Sequence, residues 1–186
     1  MRGAWLASWP IAFVLAVGPA GADDAAVKRA EMGVRLVPQI VALDQDLETK
    51  RTQDQHTRIA LVYDRDESLA RRLAAAMRAG TDGGAAAPRI DAVVVVAERI
   101  DDSQALPPAA LFLVEPLPDH LFRVVQRFAI QRQRILFSAF RGDVERGATA
   151  GIDVGIRVRT YFNLQTLRES NVRINPQALS ISRTHE

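Results

Sequence analysis

Three hydrophobic rhythms succeed one another along this chain. Val34, Val37, Val41 and Leu47 fall at helical spacing and predict helix over 24–50, with Pro38 either opening a second helix or kinking the first. Asp44, Asp46, Glu48, Lys50 and Arg51 read as its solvated end, and the polar stretch 52–56 as a linker. The continuous apolar run Arg58-Ile-Ala-Leu-Val-Tyr63 has the pattern of a strand buried on both faces. An acidic turn, 64–68, leads to Leu69, Leu73 and Met77, spaced by four on a second helix. Gly80 to Pro88 forms a loop, and Ile90 to Val96 and Ala110 to Val114 give two more buried strands. Asp119 to Arg132 turns Leu121, Val125, Phe128 and Ala129 inward and Arg123, Arg127 and Arg132 outward, and Ile135 to Phe137 makes a fourth strand.

The rhythm then changes to period two. Ile152, Val154, Ile156 and Val158 alternate with Asp153, Gly155 and Arg157, the pattern of a strand wet on one face near a sheet edge. Tyr161-Phe162-Asn163 continues or restarts it, Gln165 to Ser170 is a short helix, and Asn175-Pro176 starts a terminal helix running to about Arg183. Strands alternating with helices define the expected fold. It is one α/β domain of three layers, with a mostly parallel sheet of about five to six strands, helices on both faces, and an N-terminal helix after a leader.

Residues 1–22 have the form of that leader. Arg2 precedes an apolar run from Ala4 to Val17 of about 14 residues, too short for the roughly 20 that cross a bilayer. Ala20-Gly21-Ala22 supplies the small-x-small cleavage pattern. The expected organisation is therefore a signal peptide 1–22 cleaved after Ala22, a helical segment and linker 23–57, and an α/β domain 58–186. The product is expected in the periplasm, with no stable membrane insertion of the mature chain.

Composition removes several function classes. With 24 Lys+Arg against 22 Asp+Glu the net charge is +2, too balanced to argue for nucleic acid. No cysteine is present, which removes disulfides, thiolate metal sites and cysteine nucleophiles. His56, His120 and His185 share no metal-ligand spacing, so no metal and no cofactor is expected. Ser68, Ser138 and Ser170 lack a Gly-x-Ser-x-Gly frame, and no Gly-x-Gly-x-x-Gly turn follows the first strand. No enzyme is predicted. Asp64, Glu115 and Ser138 stand at strand ends, where open α/β sheets place ligand groups. Asp64 and Asp66 also read as helix caps and Ser138 as a turn hydroxyl. Arg141-Gly142-Asp143 is too short a match to carry adhesion, and Arg157, Arg159, Arg168 and Arg173 form either a basic patch or a solvated face interleaved with Asp153 and Glu169.

Three stretches resemble a known family. Ile59-Ala-Leu-Val-Tyr-Asp64 with the helix after it, Ile135-Leu-Phe-Ser138 followed by Gly147-Ala-Thr-Ala-Gly151, and Asn163 to Leu179 are similar to segments of the YfiR-like periplasmic family. The chain departs from that family at Asn171, where a glycine is usual, and in a shortened hairpin linking the last strands around Arg157 to Thr160. The resemblance implies a small periplasmic α/β domain, related in layout to half of a substrate-binding protein, that forms homodimers. It also implies a non-enzymatic repressor, one that binds the outer domain of a membrane-anchored signalling protein such as a diguanylate cyclase or sensor kinase. On that reading Phe140, Arg141, Arg157, Arg159, Tyr161 and Phe162 are the candidate contact residues, because exposed aromatics beside arginines make interface hot spots. The alternative is a single-domain periplasmic small-molecule binder associated with transport, its ligand at Asp64, Glu115 and Ser138.

Overall fold

The structure, a computed structural model, describes residues 20–80, 89–101, 107–155 and 157–186. The apolar run after residue 56 becomes β1 (Thr57–Tyr63), and Leu69, Ala70, Leu73, Ala74 and Met77 are the buried stripe of α2 (Glu67–Ala79). Then follow β2 (Ile90–Val96), a 3-10 turn at Ala97–Arg99, β3 (Ala110–Leu113), α3 (Asp119–Gln131) and β4 (Ile135–Ser138). The remainder is β5 (Ala150–Val154), β6 (Val158–Asn163), α4 (Leu164–Glu169), α5 (Pro176–Ile181) and β7 (Arg183–His185).

The seven strands form one sheet in the order β2-β1-β3-β4-β5-β6-β7, parallel throughout except for the β5–β6 pair. The chain moves one way from β1 to β2 and the other way from β3 onward. The strand order therefore reverses between β1 and β3, the topological switch point of such a sheet.

An N-terminal helix, α1 (Ala20–Val41), completes the layers. It contains Pro38 within its span, so of the two readings of that proline the one that opens a second helix does not hold. Gly33 lets it descend onto the sheet. A Cβ there would lie 2.9 Å from both Phe112 Cε2 and Ala139 Cβ, and Phe112 stacks on Phe137 at 5.8 Å. Phe112 and Phe137 are register partners and share a face, so alternation turns Leu111, Leu113 and Leu136, all fully buried, to the other. α3 packs against β4 and covers that second face, while α1 lies beside α2 on the first. Ala30, Val34, Val37 and Ile40 belong to the same core as the strands, so the boundary expected at 57/58 separates nothing.

Four expectations are corrected. First, the solvated end after α1 is buried in part: Asp44 and Lys50 are 4% and 8% exposed and pair at 2.5 Å. Second, β2 is not buried on both faces. It is the sheet's edge, and its four consecutive valines are half-buried. Third, the alternating run is two strands. The chain turns back after Gly155, and Val154 faces Val158 across an antiparallel hairpin; Ile156 lies outside the described residues, as do parts of the loops 80–88 and 101–103. Fourth, the terminal helix stops at Ile181 and not near Arg183, and Arg183–His185 adds a seventh strand beside β6. Asn171 adopts φ +51°, a conformation that favours glycine and that asparagine tolerates better than most residues, which accounts for the departure at that position. The leader 1–22 lies outside the described residues as far as residue 19. Among the described residues no helix is long and apolar enough to cross a membrane.

Candidate functional site

The carboxyl ends of β1, β3 and β4 converge on two polar clusters. At the switch point the turn after β1 directs three successive amides, those of Asp64, Arg65 and Asp66, at one oxygen, Oε1 of Glu115, at 2.9, 2.8 and 3.0 Å. Glu115 arrives from the segment after β3, so two loops that flank the reversal are closed on each other by one carboxylate. Asp66 caps α2 through a bond from the Leu69 amide (2.7 Å), as its sequence position predicts. Asp64 holds Arg65 at 3.3 Å and stands beside Glu115 at this point. Converging amides of this kind form a concavity that accepts an anion, and here the chain's own side chain fills it.

Ser138 does not join them. It is fully buried, donates from Oγ to Asp143 Oδ2 at 2.6 Å and accepts from the Phe140 amide at 3.1 Å. Arg146 donates to Asp143 Oδ1 and to Asp119 Oδ1, both at 2.7 Å, and its guanidinium lies 4.2 Å from the Phe122 ring centroid. Burial pushes the Asp143 carboxyl above its usual range, against the opposing pull of the Ser138 bond and Arg146. The cluster ties the β4–β5 loop into the domain. A sealed hydroxyl offers no oxygen to a ligand, so the turn reading of Ser138 replaces the ligand reading. Asp143 is likewise buried, which withdraws the Arg141-Gly142-Asp143 tripeptide from any partner.

The predicted contact set divides. Phe140, Tyr161 and Phe162 are buried, so the exposure that their proposed role requires is not there. Arg141, Arg157 and Arg159 are exposed. The last two belong to the β5–β6 hairpin beside Val154 and Val158, which are 41% and 45% exposed. Arg173 is held by Asp46 through two hydrogen bonds, one of them 2.9 Å from Nε to Oδ2, while Arg168 faces solvent. Asp153 pairs with Arg183 at 3.0 Å, and Arg183 also covers the Tyr161 ring at 4.7 Å. A shallow groove of about 550 Å³ lies between Gln45 and the α4–α5 segment, floored by Leu164, Leu167, Val172 and Ile174.

Sequence reasoning found Asp64 and Glu115 but not the backbone between them. Amides carry no side-chain signature, and only the fold reveals that three of them share an acceptor. Arg146 and Asp143 were missed for a related reason: a salt-bridged acid inside a turn looks in sequence like any polar loop. Among the described residues no cluster of acids and histidines has metal-binding geometry.

No protein-family model matches the sequence, and no curated protein is similar to it. Solved structures do share its fold. The ABC domain of Streptococcus pneumoniae, determined in complex with L-Trp, is 12% identical with a TM-score of 0.53. A conserved domain protein of Vibrio cholerae is 16% identical with a TM-score of 0.57. Each match takes in 84% of this chain and 60% of the other, so this chain accounts for about three-fifths of the length of either neighbour. At these identities the likeness establishes one thing: the chain is an α/β domain with a mostly parallel seven-stranded sheet.

Proposed function

We propose that this chain is an exported, non-catalytic binding domain for a small molecule bearing a carboxylate. The observation that carries the reading is the trio of amides at the switch point, closed on a carboxylate that a separate loop delivers. Open α/β sheets bind ligands outside the carboxyl ends of their strands at that point. The fold likeness to a domain complexed with an amino acid supports the same class of ligand. On this reading Glu115 holds the place of the ligand's carboxylate and swings out when the ligand enters, while Asp64 meets a cationic group beside it.

Thermal melts and titration calorimetry of the full chain against the amino acids, L-Trp included, test the reading, with Glu115→Ala run in parallel. A ligand at a hundred times its Kd stabilises by about 2.7 kcal/mol, which is about 5–11 °C at the roughly 2–4 °C per kcal/mol of a chain this size. Glu115→Ala, with its amides vacated, is expected to bind the same ligand more tightly. If no carboxylate shifts the melting of either protein, the reading is wrong.

One observation favours a second reading, the contact regulator of the YfiR-like resemblance. The β5–β6 hairpin presents Val154 and Val158 side by side with Arg157 and Arg159, an exposed apolar and cationic tip of the kind partners bury. Such a partner would be the outer domain of a membrane-anchored signalling protein, whose output shifts with the state that binding selects. Crosslinking in the intact envelope should then recover an inner-membrane protein with a cytoplasmic signalling domain, and Val158→Asp with Arg157→Ala should lose it. Equal recovery by wild type and variant would exclude the tip.

A further inference from the structure

The β5–β6 hairpin stands clear of the sheet it belongs to. β4 pairs with β5 at Ala150 and Gly151, and β7 pairs with β6 from Tyr161 to Asn163. Beyond those residues, from Ile152 to Val154 and from Val158 to Thr160, the two strands have only each other among the described residues. Three residues at about 3.4 Å each make a two-stranded ribbon that projects about 10 Å. Its surface is unlike the rest. Among the described residues the exposed large hydrophobics are Val154, Val158 and Ile181, the last 82% exposed. Val154 faces Val158 across the ribbon. Ile181 precedes Ser182, whose Oγ lies 2.5 Å from Thr160 Oγ1, so it flanks the same ribbon one strand over. Arg157 and Arg159 are exposed, and among the described residues no carboxylate holds either. Asp153, opposite Arg159 in register, is taken by Arg183 at 3.0 Å.

We propose that this ribbon docks the chain on a bilayer rich in anionic phospholipid, with the three apolar side chains in the headgroup layer and Arg157 and Arg159 on phosphates. Shape favours lipid over protein. A stable protein contact buries about 800 Å² on each side, and three apolar side chains supply a fraction of that. The projection matches the roughly 5–10 Å to which interfacial apolar groups enter a membrane. The open strand edges forbid the hydrocarbon core but are satisfied by water and headgroups above it. Two cations without a carboxylate partner complement anionic headgroups. β5 runs parallel to β4, β3 and β1, so the ribbon lies at the end of the sheet that carries the amides around Glu115, and docking turns that end to the lipid. The proposal gives the tip to lipid in place of a protein partner, and it stands without the ligand reading.

The cysteine-free chain makes the tip addressable, and a Cβ at Gly155 meets nothing within 4 Å. In the full chain, an environment-sensitive fluorophore on Gly155→Cys should shift to the blue on vesicles of phosphatidylcholine mixed equally with phosphatidylglycerol. On phosphatidylcholine alone it should not. The same label on Gln131→Cys, where α3 ends at the other end of the sheet, should respond to neither. Arg157→Ala with Arg159→Ala should raise the lipid needed for half the shift about 25-fold, near fivefold for each cation. Val158→Asp with Ile181→Asp should remove the shift, with circular dichroism verifying the fold of each variant. No shift on anionic vesicles, equal shifts at both labels, or variants that respond like their parent would overturn the proposal. So would a shift seen only on native membranes that carry their proteins, which would give the tip to a protein partner.

Discussion

Lys50 sits where a charge needs a partner, and Lys50→Met measures that need. Its Nζ lies 2.5 Å from Asp44 Oδ2, both residues are buried, and among the described residues Asp44 Oδ1 accepts only the Asp46 amide, at 3.0 Å. The turn that holds them is bound to the far end of the chain: Gln45 N donates to Arg173 O at 2.8 Å and Asn175 N to Leu43 O at 3.0 Å. Arg134 is close enough for Asp44 to act on it, but burial dominates and lowers its pKa, so a second desolvated cation is a poor substitute. Methionine keeps the methylene packing and removes the ammonium, leaving a buried carboxylate with one donor. Breaking such a pair costs about 3–5 kcal/mol, a large share of the 5–15 kcal/mol that holds a domain together. At about 2–4 °C per kcal/mol the melting temperature should fall by about 6–20 °C. Asp44→Asn strands the ammonium instead and should cost a similar amount. The double variant removes both charges and should cost less than the sum by about 2 kcal/mol or more. Urea unfolding followed by far-UV circular dichroism on the four proteins gives this coupling. Additive losses, or a Lys50→Met cost below about 1 kcal/mol, would show that water or Arg134 already satisfies Asp44 and would refute the argument.

Three further outcomes are expected. Gly33→Val should destabilise by about 1–3 kcal/mol through overpacking against Phe112 and Ala139; the Cβ of Gly33→Ala already meets the same two residues at 2.9 Å, which offsets its gain of about 1 kcal/mol in helix propensity, and a stabilised valine variant would mean that α1 lifts freely. Asn163→Ala removes an N-cap bond to the Thr166 amide (2.8 Å) and a donor to Val144 O (2.7 Å), and should cost about 2–4 kcal/mol in chemical denaturation. Because burial raises the Asp143 pKa, its contribution to stability is full below the ordinary value of 3.8 and is lost as pH rises through the raised one. Asp143→Asn should therefore steepen the rise of stability with pH from 3.8 upward, and an unchanged slope in urea midpoints across that range would contradict the shift.

The fold was legible where a single local rule decides the outcome. The runs at Ile59 and Leu111 became interior strands, and the four-residue spacing of Leu69, Leu73 and Met77 became a buried helical face. Legibility failed where the outcome depends on neighbours distant in sequence. Val93–Val96 looks as apolar as any interior strand, but its position at the margin follows from the order of the other six. Lys50 and Asp44 read as solvated because local polarity cannot reveal that residues 173–175 close over them. The hairpin was hidden by its own regularity, since period two continues smoothly through Gly155 into the returning strand. Of the site, the two carboxylates were visible and the amides between them were not.

The tie between the turn after α1 and the segment before α5 also bears on how the domain is made. Arg173 and Asp46 are bonded across 127 positions. A growing chain exposes α1 and its turn long before their cover is synthesised, and Asp44 and Lys50 stay wet until then. The turn after α1 thus gains its final surroundings only once residues 173–175 have been made, although the helix itself already packs on α2, β3 and β4. Deleting residues from 173 onward would not merely shorten the protein. It would return a charged pair to water at the opposite end of the sequence and leave the flank of β6 open.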